Sequence, residues 1–155
     1  MIALQDFEQA TSSVSGTPRA ILRLESGLVL TCAVMAFAWH SGQWSLFALL
    51  FLIPDLSMLG YLANARIGAI CYNFAHAYVL PLAVGLIGVA YSQSIFVDGA
   101  LIWIAHIGFD RMLGYGLKYG SAFGHTHLGQ VGRARQVSGD KMGLPARAIS
   151  PAHEA

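Results

Sequence analysis

Charged residues are scarce in this sequence. Asp, Glu, Lys and Arg make up only 11% of the 155 residues, and 55% are hydrophobic, whereas an ordinary soluble domain is about 25% charged. The net charge is only +1, which excludes the basic surface of a nucleic-acid-binding protein and the composition of an acidic disordered chain. We therefore expect no nucleic-acid partner and place the chain in a lipid bilayer.

Cysteine is also rare. The two cysteines, Cys32 and Cys71, lie in apolar stretches, where a free thiol behaves as a small hydrophobic group. Their spacing excludes a disulfide framework and a CxxC metal or redox motif. The first 17 residues contain no Lys or Arg, so we do not expect a cleavable signal peptide.

Long apolar segments fill the middle of the chain. A transmembrane helix needs about 20 mostly apolar residues, and turn residues at 40–43, 64–66 and 92–94 separate four segments of that length: 22–40, 44–63, 67–91 and 95–117. Short connections make successive helices antiparallel neighbours. We predict an all-α, up-down transmembrane four-helix bundle over residues 21–119, with flexible tails at 1–20 and 120–155.

The basic residues predict an orientation, because Lys and Arg near the ends of spans stay in the cytoplasm. Arg19 and Arg23 precede the first span, Arg66 lies in the second loop, and Lys118 begins a basic tail, whereas the first and third loops contain no Lys or Arg. Both termini are therefore expected in the cytoplasm. The protein is predicted to be a multi-pass inner-membrane protein with the bilayer as its partner.

Polar residues inside the predicted spans share one depth. At 1.5 Å rise per residue, they lie roughly 5 to 18 Å from the cytoplasmic ends of four different helices, and they are Glu25, Asp55, Asn73, His76, His106 and Asp110. Buried charges are costly in lipid and need partners or a function. We expect one polar centre near the inner leaflet and no comparable centre in the outer half.

Helical phase suggests which of these side chains meet. His106 and Asp110 are four residues apart on one face, and Asn73 and His76 are three apart on another. Imidazoles with carboxylates can bind zinc, manganese or iron, so we predict a divalent-metal site of His76, His106, Asp110 and Asp55. In a hydrolase, Asp55 or Glu25 would act as the catalytic base, with Asn73 and Arg111 in support.

Other interpretations of the same residues remain open. Polar side chains in a bundle can simply hold helices together, and Arg111 can form a structural ion pair with Asp55 or Glu25. A proton or ion relay is a third interpretation, although four short spans would need to form a homo-oligomer to act as a transporter. His125 and His127 either fold back as ligands or lie in a solvated tail.

Several motifs resemble a known family. PDLSMLGYL (54–62), YNFAHAYVLP (72–81), WIAHIGFDRMLGYGLKY (103–119) and FGHTHLG (123–129), preceded by RLESG (23–27), resemble the small bacterial membrane proteins of domain-of-unknown-function family 4260. Tyr61 and Tyr72 lie within these motifs and are expected to support the site. A more distant similarity is to membrane-bound metal-dependent hydrolases, although the His-Arg pair typical of those proteins is missing.

Overall fold

The computed structural model describes residue 14, residues 16–119 and residues 125–130, and this part of the chain is mostly helical. The helices are α1 (Gly16–His40), α2 (Trp44–Leu50), a 3-10 helix (Ile53–Leu62), α3 (Ala65–Ala75), α4 (Val79–Ala90) and α5 (Ser94–Leu113). Two short strands that follow the helices in the chain, β1 (His125–Thr126) and β2 (Gly129–Gln130), pair antiparallel. In chain order, these helices form four elongated segments, which we call rods, at residues 16–40, 44–62, 65–90 and 94–113.

The boundaries between the rods follow the turn residues in the sequence. Gly42 has φ +61° between α1 and α2, a conformation that glycine adopts without strain. Asn64 accepts a hydrogen bond from the backbone N–H of Ile67 at 2.9 Å and so caps α3. The first helix begins six residues earlier than predicted, at Gly16, because Pro18 is compatible with a first helical turn.

Two of the four rods are interrupted. The second changes from α-helix to 3-10 helix around Phe51 and Leu52, next to Pro54. The third breaks between Ala75 and Val79, just before Pro81, whose ring clashes with the carbonyl four residues earlier in a regular helix. These irregular segments carry Asp55 and His76, so both breaks lie at the candidate site.

Three rods are long and apolar enough to cross a membrane: Gly16–His40, Trp44–Leu62 and Ala65–Ala90. Large apolar side chains such as Leu24, Leu28 and Leu86 remain exposed on them, as expected for a surface that faces lipid. The fourth rod, α5, is different: it carries Asp98, Asp110 and Arg111, and it contributes more buried residues than any other described helix.

Helix α5 forms the centre of the packing. It contacts α1 along most of its length and α4 on another side, while the 3-10 helix packs against α3. At Gly108 an added Cβ would lie 2.9 Å from the backbone nitrogen of Leu30 and 3.0 Å from the carbonyl oxygen of Ser26. Glycine is therefore required for the close approach of α1 and α5.

Helix α5 ends at Leu113, four residues before the predicted end of the fourth span. Gly114 adopts a left-handed conformation with φ +100°, which terminates the helix, and Arg23 donates to the carbonyl oxygen of Met112 at 2.7 Å. The chain then reverses. The backbone N–H of Leu117 donates to Nδ1 of His127 at 2.9 Å, so residues 125–130 pack against residues 116–118.

Candidate metal centre

Four side chains from three separate segments converge in the interior. Asp55, His76, His106 and Asp110 each offer one ligand atom, and these four atoms all lie within 4.8 Å of one another. Nε2 of His76 is 3.2 Å from Nε2 of His106. The two nitrogens are each 3.6 Å from Oδ1 of Asp55, and they are 3.5 and 4.0 Å from Oδ2 of Asp110.

These distances are close to the edges of a tetrahedral metal site. With metal–ligand bonds of about 2.0–2.1 Å, neighbouring ligand atoms of a tetrahedron lie about 3.3–3.4 Å apart. The five distances above run from 3.2 to 4.0 Å. The sixth distance, between the two carboxylates, is within 4.8 Å, so these donor atoms are close enough together to hold one metal ion.

The local structure explains how the four residues meet. Asp55 lies in the first turn of the 3-10 helix, and His76 is the residue that terminates α3, before the break in the third rod. His106 and Asp110 are one turn apart on α5, so they share a face. The interrupted rods thus bring one ligand each to the regular helix that carries two.

Tyr72 supports two of the four ligands. The carbonyl oxygen of Tyr72 accepts the hydrogen bond from Nδ1 of His76 at 2.9 Å, which leaves the Nε2 lone pair of neutral His76 facing the centre. The Tyr72 hydroxyl donates to Oδ2 of Asp110 at 3.0 Å, and its ring stacks on the His76 ring at 3.8 Å. Such outer contacts orient metal ligands in known sites.

His106 is held differently. Its ring makes edge contacts with Phe51 and with His76 at centroid distances of 5.3 and 5.2 Å. Its Nδ1 is buried and has no hydrogen-bond partner within the described residues. Aromatic packing and the Nε2 contact with His76, and not a hydrogen bond at Nδ1, therefore set the orientation of this imidazole.

The four side chains differ in access to the surroundings. Those of His76 and His106 are only 3% and 2% exposed and that of Asp110 is 14% exposed, whereas that of Asp55 is 35% exposed. Asp110 is also fixed by the Tyr72 hydroxyl. Asp55 is therefore the carboxylate of the group that a substrate can reach most easily.

Lys118 lies beside the centre and has no counterpart in the sequence-based site. Its ammonium group sits 4.0 Å from the centroid of the Tyr72 ring and 5.3 Å from that of Tyr61. Burial lowers the pKa of Lys118 to about 8, and the carboxylates of Asp110 and Asp55 oppose this shift. The chain reversal at Gly114, which places Lys118 here, is not visible as a pattern in the sequence.

Asn73 does not point its amide at the four ligands. Its Nδ2 donates to the carbonyl oxygen of Lys118 at 2.8 Å, and its Oδ1 accepts from the Lys118 backbone N–H at 2.7 Å. This two-bond contact ties the segment after α5 to α3. Asn73 therefore acts on the centre by fixing the backbone of Lys118.

Glu25 and Arg111 line a cavity of about 150 Å³, together with Tyr78 and His127. Arg111 forms no ion pair with Asp55 or Glu25. Its guanidinium stacks over the Tyr78 ring at 4.4 Å and donates to the carbonyl oxygen of His76 at 3.2 Å. Glu25 thus lies outside the group of four candidate ligands, while Arg111 contacts the backbone of one of them.

A second polar cluster occupies the opposite end of α5, where none was expected. Asp98 is only 3% exposed, and its Oδ1 accepts hydrogen bonds from Ser41 Oγ at 2.8 Å and from His40 Nδ1 at 2.9 Å. The prediction was wrong because the depth count left out Asp98 in the fourth span and its partners His40, the last residue of α1, and Ser41 in the first loop. This cluster ties the first loop to the first helical residues of α5.

Residues 19–131 match the family described as Domain of unknown function (DUF4260). The match covers more than half of the chain, and the chain therefore belongs to this family, as its motifs indicated. No curated protein and no solved structure matches it. The family description assigns no activity, so a function has to be argued from the chemistry of the site.

Proposed function

We propose that this member of the DUF4260 family is a multi-pass membrane protein that binds one divalent metal ion and uses it to hydrolyse a membrane-associated substrate. The observation that carries the proposal is the pair of buried Nε2 atoms 3.2 Å apart, His76 and His106, with two carboxylates beside them. Two neutral imidazoles with opposed lone pairs repel each other unless a proton or a cation lies between them.

The donor set favours a particular group of metals. Two imidazole nitrogens and two carboxylate oxygens suit zinc, manganese or iron, whereas magnesium and calcium prefer oxygen ligands alone. The spacing near a tetrahedral edge favours zinc among these. The contacts of Tyr72 to both His76 and Asp110 supply the outer support that such ligands commonly have.

The exposure of the two carboxylates suggests which of them binds the metal and which acts as the base. A catalytic zinc site keeps three protein ligands and an open position, and His76, His106 and Asp110 are the three least exposed members of the group. A metal held there would lower the pKa of water toward about 7. Asp55, the accessible carboxylate, would accept the water proton and return it to the leaving group as the water oxygen bonds to the electrophilic atom of the substrate.

The surroundings suggest where the substrate comes from. The centre lies among helices that are long and apolar enough to cross a membrane, so a substrate that reaches Asp55 laterally would be a component of the bilayer. The distribution of Lys and Arg favours cytoplasmic termini and thus a site near the inner leaflet. Lys118 places a cation next to the carboxylates, where it can stabilise negative charge.

The test is metal content with matched variants. The full-length protein is purified in detergent from cells grown with added zinc, manganese and iron, and its metals are measured by mass spectrometry. We expect about one ion per chain in the wild type, and loss of it in His106→Gln and Asp110→Asn. His40→Gln and Asp98→Asn alter a second His–Asp pair, of which only Asp98 is buried, and should leave the metal content unchanged.

Absence of stoichiometric metal from the folded wild type would overturn the proposal. It would favour a hydrogen-bonded cluster in which one proton is shared between His76 and His106, and the same residues would then hold the helices together or relay protons. Equal metal loss in the His40 and Asp98 variants would also contradict it, because the metal would then depend on general integrity and not on the four ligands.

A further inference from the structure

An apolar groove adjoins the candidate metal centre. It has a volume of about 340 Å³, and its walls are contributed by the second, third and fourth rods. Its lining includes Pro54 and Ala75, which immediately precede Asp55 and His76 in the chain. The groove therefore lies beside the backbone that carries two of the four candidate ligands.

Helix α5 shows the direction in which the groove extends. Ile95, Phe96, Gly99 and Trp103 all line it, so it follows the helix over eight residues, or about 12 Å at 1.5 Å per residue. His106 follows Trp103 by one further turn. The indole N–H of Trp103 donates to the carbonyl oxygen of Ala75 at 2.6 Å, which fixes the wall of the groove to the segment that carries His76.

The lining of the groove favours one occupant. Apart from Ser57 and the indole N–H of Trp103, its lining side chains are apolar, which suits a hydrocarbon chain. Ile53 and Ile95, which line the groove, are also exposed, where acyl chains surround a membrane protein.

One polar atom interrupts the apolar lining. The hydroxyl oxygen of Ser57, two residues after Asp55, is buried and finds no hydrogen-bond partner in the described part of the chain. A buried hydroxyl without a partner is unfavourable unless a ligand supplies one. An ester or carboxyl oxygen at the head of a hydrocarbon chain would do so, since it would lie between the metal centre and the groove.

We infer, on the basis of the metal-dependent hydrolysis proposed above, that the groove binds one acyl chain of the substrate and presents the polar end of that lipid to the metal centre. The substrate class is then an acyl lipid. Its chain lies along α5 from Trp103 toward Ile95, with its head group at His106 and Asp55.

The experiment uses a stearic acid brominated on its chain, because bromine quenches tryptophan fluorescence on contact. In full-length protein carrying Trp39→Phe and Trp44→Phe, Trp103 is the only tryptophan. We expect saturable quenching at one fatty acid per chain in detergent micelles. Bromine near the carboxyl end should quench more than bromine near the methyl end, since Trp103 lies at the end of the groove nearest the ligands.

Gly99→Leu is the blocking variant. Gly99 lines the groove, and an added Cβ there would meet nothing within 4 Å, so we expect a leucine side chain to occupy space in the groove. We expect this variant to weaken binding at least about tenfold. Ala83→Leu adds the same side chain on the exposed surface of α4, outside the groove, and should bind like the parent protein.

Quenching that rises linearly with fatty-acid mole fraction, or that is equal in both leucine variants, would overturn the inference. Stronger quenching from the methyl end would also do so, and that comparison needs no groove variant. Metal content measured on the same samples keeps the two proposals apart. Bound metal without saturable quenching would overturn lipid binding in the groove. Saturable quenching without bound metal would overturn the proposed metal-dependent hydrolysis.

Discussion

The hydroxyl group of Tyr72 provides a sharp test of the metal centre. Tyr72→Phe removes one oxygen atom, and the ring that stacks on His76 at 3.8 Å remains. What is lost is the hydrogen bond to Oδ2 of Asp110 at 3.0 Å. The backbone carbonyl that orients His76 is unaffected. The variant therefore tests only the hydrogen bond that supports Asp110.

The expected effect follows from the type of hydrogen bond. A hydrogen bond to a charged group contributes about 1.5–3 kcal/mol, which corresponds to a factor of about 10 to 100 in an equilibrium constant. In known metal sites, loss of such outer contacts lowers the metal affinity by a similar factor of roughly 10 to 100. We therefore expect Tyr72→Phe to bind zinc about 10- to 100-fold more weakly than the wild type.

Competition with a chelator of known zinc affinity measures this change in detergent solution. Tyr78→Phe is the matched control, because the Tyr78 hydroxyl is buried and has no hydrogen-bond partner among the residues described. It should bind zinc like the wild type. A change of less than about twofold in Tyr72→Phe would refute the assignment of Asp110 as a metal ligand supported by Tyr72.

Three further predictions address the base, the packing and the C-terminal turn. Asp55→Asn should keep its metal but lose about 10²- to 10⁴-fold in the hydrolysis of a fluorogenic acyl ester, because an amide cannot accept the proton. Gly108→Ala should lower the free energy of unfolding by about 1–3 kcal/mol, measured by denaturation in detergent, because its Cβ meets the Leu30 backbone at 2.9 Å. Burial lowers the pKa of His127 from 6.5, and its neutral Nδ1 accepts the Leu117 N–H, so this turn should be stable above about pH 6.5 and loosen as the pH falls further. Hydrogen exchange at Leu117, corrected for intrinsic rates, measures that change.

Each of these predictions has a result that contradicts it. Loss of metal in Asp55→Asn would make Asp55 an obligatory ligand and not the base. Gly99→Ala, where nothing lies within 4 Å of the new Cβ, serves as the control for Gly108→Ala, and equal destabilisation would refute the close approach of α1 and α5. For the turn, His127→Gln removes the titrating ring, and a pH dependence that survives in that variant would assign it to another group.

Turn chemistry made the rod boundaries predictable. Gly42, Asn64 and Ser92 lie in the three predicted loops, and the structure breaks the chain at each of them. The conversion of the second rod to a 3-10 helix was not predictable, because its residues are as apolar as those of a regular span. The end of α5 was misjudged because Gly114 lies inside the predicted segment 95–117 and was not recognised as a terminator.

The candidate centre was accessible from the sequence only in part. The four-residue spacing of His106 and Asp110 fixes their shared face on any helix. The orientation of Asn73 depends on a chain reversal beyond α5 that places the Lys118 backbone against it. Glu25 has a suitable depth, but it faces the cavity that Arg111 also lines, because depth along a helix gives no information about rotation around it.

X-ray absorption at the zinc edge tests the central claim most directly, because it reports which atoms surround the ion. Zinc-loaded wild-type protein should show four light-atom ligands at about 2.0–2.1 Å, including the outer-shell scattering of two imidazole rings. His76→Gln should retain at most one imidazole. A spectrum with six oxygen ligands and no imidazole scattering would contradict a metal centre in which His76, His106 and Asp110 bind the ion and Asp55 lies beside it.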